Sequence, residues 1–250
     1  VAEQGELYVG YLAVPAGVKR FLRIAVPVVL WIVAIAAVVV ARTQPTPGMA
    51  VWESTEERQV TGVLTARPYP MLYVSDRGDG RAGYVLLVEV GKHGGGKRAA
   101  GFDGKHISVS GWMLHRDGRF MLEMAPGEGA IREVQGGSAR AEVERKSLGR
   151  VTLRGEIVDS KCFLGAMKPG HGKTHKECAT LCISGGIPPM FVVRGAGGMA
   201  TYYLLTNEEG GPLGSEAWAM IADPVEVSGE LEEVGGMKRL RVRAGDIRRL

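Results

Sequence analysis

The sequence predicts a mainly β protein: one N-terminal transmembrane helix, then two tandem five-stranded barrels, the second with a Cys/His-containing insertion. Three observations predict it. A charge-free apolar run lies near the N-terminus, the chain matches itself at a nearly constant offset, and all three cysteines fall in the one stretch that breaks that offset.

The anchor comes first. Ile24 to Ala41 (IAVPVVLWIVAIAAVVVA) carries no charge over eighteen residues, about the minimum needed to cross a ~30 Å hydrocarbon core at ~1.5 Å per residue. Pro27 reads as a first-turn proline, where the missing N–H does little harm. Lys19, Arg20 and Arg23 precede the run and only Arg42 follows it closely. The positive-inside rule therefore predicts a cytoplasmic N-terminus over 1–23, an inner-membrane anchor over 24–41 and periplasmic, extracytoplasmic domains beyond. A cleaved signal peptide is the rival reading, since Val39-Val40-Ala41 has the form of a small-residue cleavage site, but the run is longer than a usual h-region. A Pro/Thr/Gly linker is expected over 42–55, centred on Thr43 to Met49 (TQPTPGM).

Charge excludes little beyond nucleic acid. Removing Lys19, Arg20 and Arg23 from the 31 Lys and Arg, and Glu3 and Glu6 from the 27 Asp and Glu, leaves the exported part at only +3. That is a solvated surface rather than a nucleic-acid footprint. Hydrophobic residues at 45% exclude a disordered chain, and 37 glycines without a triplet period point to many turns.

Self-comparison supplies the barrels. Ile107 to Met124 matches Val225 to Val242, sharing Val-Ser-Gly at a separation of 118. Tyr84-Val85-Leu86-Leu87 pairs with Tyr202-Tyr203-Leu204-Leu205 at the same 118, and Pro70-Met71 with Pro189-Met190 at 119. Upstream, Thr61-Gly62-Val63-Leu64 resembles Arg154-Gly155-Glu156-Ile157 at only 93, so the second copy carries an insertion of about 25 residues, over 160–186. Alternating apolar positions predict strands at 59–66, 71–76, 83–90, 106–114 and 119–124, and again at 151–159, 190–195, 201–207, 224–232 and 238–244. Arg116-Asp117-Gly118 and Gly235-Gly236 supply hairpin turns. Five short strands with a longer third connection resemble the OB-fold, which gives domains at 56–135 and 148–250. Ser215 to Ala222 is expected to be the short helix that plugs the second barrel.

The insertion offers Cys162, His171, His175, Cys178 and Cys182 as candidate metal ligands. A helix is predicted over Thr174 to Ile183, stopped by Gly185-Gly186. On it His175, Cys178 and Cys182 share one face, and Cys162 reaches them from the preceding loop. One histidine is spare, because His171 and Cys182 lie too far apart along one helix to serve a single ion. Three thiolates and an imidazole suit zinc, and with Met167 or Met190 nearby they also suit copper. The alternative in an exported chain is a structural disulfide from Cys162 to Cys178 or Cys182 with one thiol left over.

Other signals fail. Gly165 to Thr174 has six residues where a phosphate-binding loop needs four. Gly91 to Arg98 reads as a flexible connection, and His93, His106 and His115 as scattered strand or loop residues. Asp159 reads as a strand-end turn former, or as a group orienting a histidine. No catalytic constellation stands out, so an enzyme ranks below an accessory role.

The stretch Gly155-Glu-Ile-Val-Asp-Ser-Lys-Cys162, Met167-Lys-Pro-Gly170, Gly172-Lys-Thr-His175, Cys178-Ala179, Cys182-Ile183 and Gly185-Gly-Ile-Pro-Pro189 resembles an uncharacterised bacterial family of membrane-anchored proteins. The resemblance implies that this segment is a recurring module. The function expected is a membrane-anchored metal-binding accessory protein: a subunit, assembly factor or metal carrier of a membrane redox complex. A non-catalytic interaction module stiffened by a disulfide is the alternative.

Overall fold

A computed structural model describes residues 13–43, 50–135, 143–195 and 200–250. The chain divides into two compact units, Val1–Thr46 and Pro47–Leu250. In the first, helix α1 (Ala16–Thr43) extends the expected span at both ends. Its 28 residues reach about 42 Å, enough to cross a bilayer. Pro27 lies in the helix interior rather than in its first turn, because the helix begins well upstream of the apolar run. Of the linker expected at 42–55, Arg42 and Thr43 end α1, 44–49 lie outside the described residues, and the first strand is already under way at Val51.

The second unit is mainly β. Its first sheet comprises β1 (Val51–Thr65), β2 (Met71–Val74), β3 (Gly83–Val88), β4 (His106–Arg116), β5 (Arg119–Met124) and β6 (Ile131–Glu133), with a short helix α2 (Gly96–Ala99) between β3 and β4. Strands β1, β2, β3, β5 and β4 pair in that order, β3 with β5 in parallel, and β4 returns to β1 to close a five-stranded barrel. The second sheet comprises β7 (Arg145–Asp159), β8 (Pro189–Arg194), β9 (Ala200–Asn207), β10 (Pro224–Val234), β11 (Met237–Val242) and β12 (Ile247–Arg249). Its pairings follow the same order: β7 with β8, β8 with β9, β9 with β11 in parallel, β11 with β10 and β10 with β7.

The shared sequence glycines have a steric reason. A Cβ on Gly111 would lie 2.1 Å from the Glu123 carbonyl oxygen, and one on Gly229 2.4 Å from that of Arg241. Gly62 and Gly155 are pressed in the same way onto Tyr73 and Val192. At these four points a long strand crosses its neighbour too closely for any side chain.

Strand alternation sorts side chains into three cores. Leu72, Val85, Leu87, Val109 and Leu122 fill the first sheet's interior, while Ile157, Phe191, Leu205, Val225 and Leu240 fill the second's. The short helix expected at Ser215 to Ala222 appears as a helical turn at Ser215–Met220, with Ala217 and Ile221 in the second sheet's core. The opposite faces meet each other: Met71, Tyr84, Leu86 and Met121 pack with Met190, Tyr202 and Leu204 around the segment 160–187. Strand β3 is therefore buried on both faces, and its six residues read as one apolar run.

Strands β1 and β7 begin at 51 and 145, ahead of the limits expected at 56 and 148, and the two sheets share this third core. The short β6 and β12, which pair with β4 and β10, went unpredicted because three residues carry no readable period.

Candidate metal centre

The segment leaving β7 is organised by one buried carboxylate. Asp159, fully buried, accepts the Cys162 N–H at Oδ1 (2.8 Å) and faces His175 Nε2 across 2.9 Å at Oδ2. The first bond turns the chain into a wide helical turn at Cys162–Ala166, and the second ties that turn to the next element. Gly170 lets the chain pass back over it, since a Cβ there would meet the Cys162 carbonyl oxygen at 2.5 Å. A single turn at Lys173–His175 then leads into helix α3 (Lys176–Ser184), close to the helix expected at 174–183.

Helix periodicity brings together two of the three residues expected on one face, Cys178 and Cys182, but not His175, which precedes the helix. Cys178 and Cys182 stand one turn apart on α3, and Cys162 meets them from the preceding turn, with the three Sγ atoms within 4.8 Å of one another. The Cys162 and Cys178 sulfurs are 4.0 Å apart, and all three thiols are free. Two thiolates sharing one zinc ion at ~2.3 Å and the tetrahedral angle would stand roughly 3.8 Å apart. Cys162 and Cys182 are buried, and Cys178 is partly exposed.

The candidate ligands do not all converge. His175 groups with Asp159 and Cys162, so Cys162 belongs to both clusters. His171 lies outside both, its ring edge-on to Phe163 at a centroid distance of 6.1 Å. Burial, with Arg194 nearby, lowers its pKa. Met190 lies in the apolar cluster around Cys162 and Cys182, whereas Met167 is exposed.

The first sheet contributes a residue that sequence reasoning missed. Lys92 Nζ donates to Cys178 Sγ at 2.8 Å and lies 3.6 Å from Cys182 Sγ. The loop carrying it, expected to be a flexible connection, is pinned to the end of α3: the Gly94 N–H bonds the Gly185 carbonyl at 2.9 Å. Backbones meet here without side chains. A Cβ on Gly94 would lie 2.0 Å from the Gly186 oxygen, and one on Gly185 1.9 Å from the Lys92 oxygen. The glycine runs at 94–96 and 185–186 were visible in the sequence, but nothing in one sequence pairs them.

A second lysine holds the other side. Lys161 is buried, donates to the carbonyls of Glu89 (2.8 Å) and Gly91 (2.7 Å), and pairs with Glu123 of β5. Arg116 of β4 donates to the Phe163 carbonyl at 3.0 Å and stacks over its ring. The insertion thus touches both sheets and is not an appendage of the second alone.

Electrostatics separate the thiols. A hydrogen bond from Cys162, with Lys92 as the nearby positive charge, brings the Cys182 thiol down to about 7 against the cost of burial. Its partner Cys162 is pushed well up by giving that bond, by burial and by the Asp159 carboxylate. Lys92 is pushed up, first by its bond to Cys178, and so stays charged. The arrangement is a preformed set of soft donors with one cation beside it, placed so that they could hold a metal ion.

Comparison of the chain with protein-family models, with curated proteins and with solved structures finds no match.

Proposed function

We propose that the chain is a membrane-anchored metal-binding protein whose centre is formed by Cys162, Cys178 and Cys182. The observation that carries this reading is the convergence of three sulfurs, sixteen and four residues apart in sequence, on one point beneath a fully buried Asp159–His175 pair. Three free thiols brought together beside a lysine have a ready purpose as ligands of one shared ion, and ligation protects thiols outside the cytoplasm. We take both sheets to be OB-like barrels descended from one repeat, and α1 to hold them on the periplasmic side of the inner membrane, as the charge asymmetry before and after it favours. Its role is accessory: a subunit, assembly factor or metal carrier for a membrane redox complex. The resemblance of the insertion to a recurring bacterial module fits a part reused beside different partners.

The experiment is an anaerobic titration of the reduced full-length chain with zinc(II) or copper(I), read by thiol protection and melting temperature. At a free metal concentration of 1,000 times Kd the folded state gains about 4 kcal/mol, roughly 8–16 °C for a unit of this size. Three thiols should become unreactive together, and Cys178→Ser should abolish both effects. The second reading, an interaction module with a disulfide, rests on the 4.0 Å separation of Cys162 and Cys178. It predicts one reactive thiol in the protein as isolated and no response to metal.

A further inference from the structure

We propose that this site holds one copper(I) ion in three-coordinate form, with the Lys92 ammonium of the first sheet as its charge partner and no fourth protein ligand. The proposal rests on the metal-centre reading and narrows it to one ion chemistry.

The fourth position decides the matter. A closed zinc site wants four ligands, and His175 is the imidazole the sequence offers. Its Nε2, however, is engaged by Asp159 at 2.9 Å, with 3% and 0% of the two side chains exposed. It shares a cluster with Cys162 but not with Cys178 and Cys182. Drawing His175 onto the ion through that nitrogen would strip a buried carboxylate of its partner. His171 is turned to Phe163.

What does stand beside the sulfurs is Lys92, 2.8 Å from Cys178 and 3.6 Å from Cys182. A charged ammonium has three donors and no lone pair, so it cannot ligate; it can only balance charge. Three thiolates leave a net charge of −2 around a monovalent ion and −1 around a divalent one, so the neighbouring cation matters most for the monovalent case. The surroundings agree. Cys162 and Cys182 are 6% and 1% exposed and lie among Phe163, Ile187, Met190 and Tyr202, polarisable neighbours that suit a soft ion. Loading moves no electrons: copper enters as the monovalent ion, three sulfur–copper bonds form, and protons still on the thiols leave to solvent. Cys178, beside Lys92, is the one sulfur of the three that is partly exposed.

The test uses the reduced full-length chain in detergent, loaded anaerobically with copper(I). X-ray absorption reads the first shell, and competition with a chromophoric copper(I) chelator reads affinity. The expected result is one copper per chain, three sulfur neighbours and no nitrogen or oxygen neighbour. Lys92→Met should weaken binding by roughly 10- to 100-fold, the usual effect of removing a group that supports a metal ligand, while Lys92→Arg keeps most of the affinity. The metal-free melting temperature of each variant separates lost binding from lost folding. A nitrogen or oxygen neighbour overturns the three-coordinate assignment, and unchanged affinity in a folded Lys92→Met overturns the role given to Lys92; either leaves a metal centre standing. No binding of copper(I) or zinc(II) with all three thiols reactive overturns the metal centre as well.

Discussion

Gly185→Ala is a small change with a large consequence, because of what faces it. Gly185 follows α3 with φ of −78° and ψ of 0°, a conformation alanine adopts freely, so the penalty is purely steric. The added Cβ would stand 1.9 Å from the Lys92 carbonyl oxygen, whereas ordinary contact begins near 3.4 Å, so loop and helix must part by about 1.5 Å. Overpacking of this kind costs about 1–3 kcal/mol. The Gly94–Gly185 hydrogen bond, 2.9 Å long, goes with it for about 1 kcal/mol more. For a unit of roughly 200 residues the total corresponds to a melting temperature lowered by about 5–15 °C, read by thermal circular dichroism of the metal-free chain. The same displacement carries Lys92 away from Cys178, so copper(I) affinity should fall together with stability. Gly96→Ala, on the same loop with open space around its would-be Cβ, is the control and should be neutral or slightly stabilising. Wild-type melting and affinity in Gly185→Ala would refute the docking of the loop on α3 and the role given to Lys92.

The buried pair between the sheets makes a second prediction. Lys161→Met leaves Glu123 buried without its cation and should cost about 3–5 kcal/mol in urea unfolding, much of which Lys161→Met with Glu123→Met restores; additive losses would show that the two groups do not interact. Asp223 makes a third. Lys176 foremost, then Arg249, holds its carboxylate below the usual range, each 2.7 Å away. A depressed pKa contributes stability above the unfolded value, near 4, and loses it as pH falls through the lower folded value. Asp223→Asn should therefore lower the melting temperature at pH 7 and narrow the gap to wild type below about pH 4; a gap that stays constant across that range would refute the pairing.

Much of this molecule is legible in the sequence, for reasons that can be named. Strand positions followed from alternation, as in Val225 and Val227, whose side chains enter the second interior. The repeated Val-Ser-Gly was visible as a match before its cause was known: Gly111 and Gly229 mark a close strand crossing. The shared face of Cys178 and Cys182 followed from helix geometry alone. What could not be read is everything that joins distant segments. Lys92 lies 86 residues from Cys178, in a run whose glycines signal flexibility in isolation and close packing only when Gly185 and Gly186 are placed against them. Burial of Lys161 was equally hidden, because its partner Glu123 and its carbonyl acceptors come from the other sheet. The sequence allows Asp159 either role, turn former or histidine partner; its two oxygens let it take both.

Cys162, Cys178 and Cys182 are proposed to share one ion. The most direct test is elemental analysis of the full-length chain purified from membranes without chelators, combined with a count of reactive thiols before and after denaturation. A shared ion predicts about one equivalent of copper or zinc per chain, no reactive thiol in the native protein and three after denaturation. A metal-free protein with a single thiol after denaturation would contradict it.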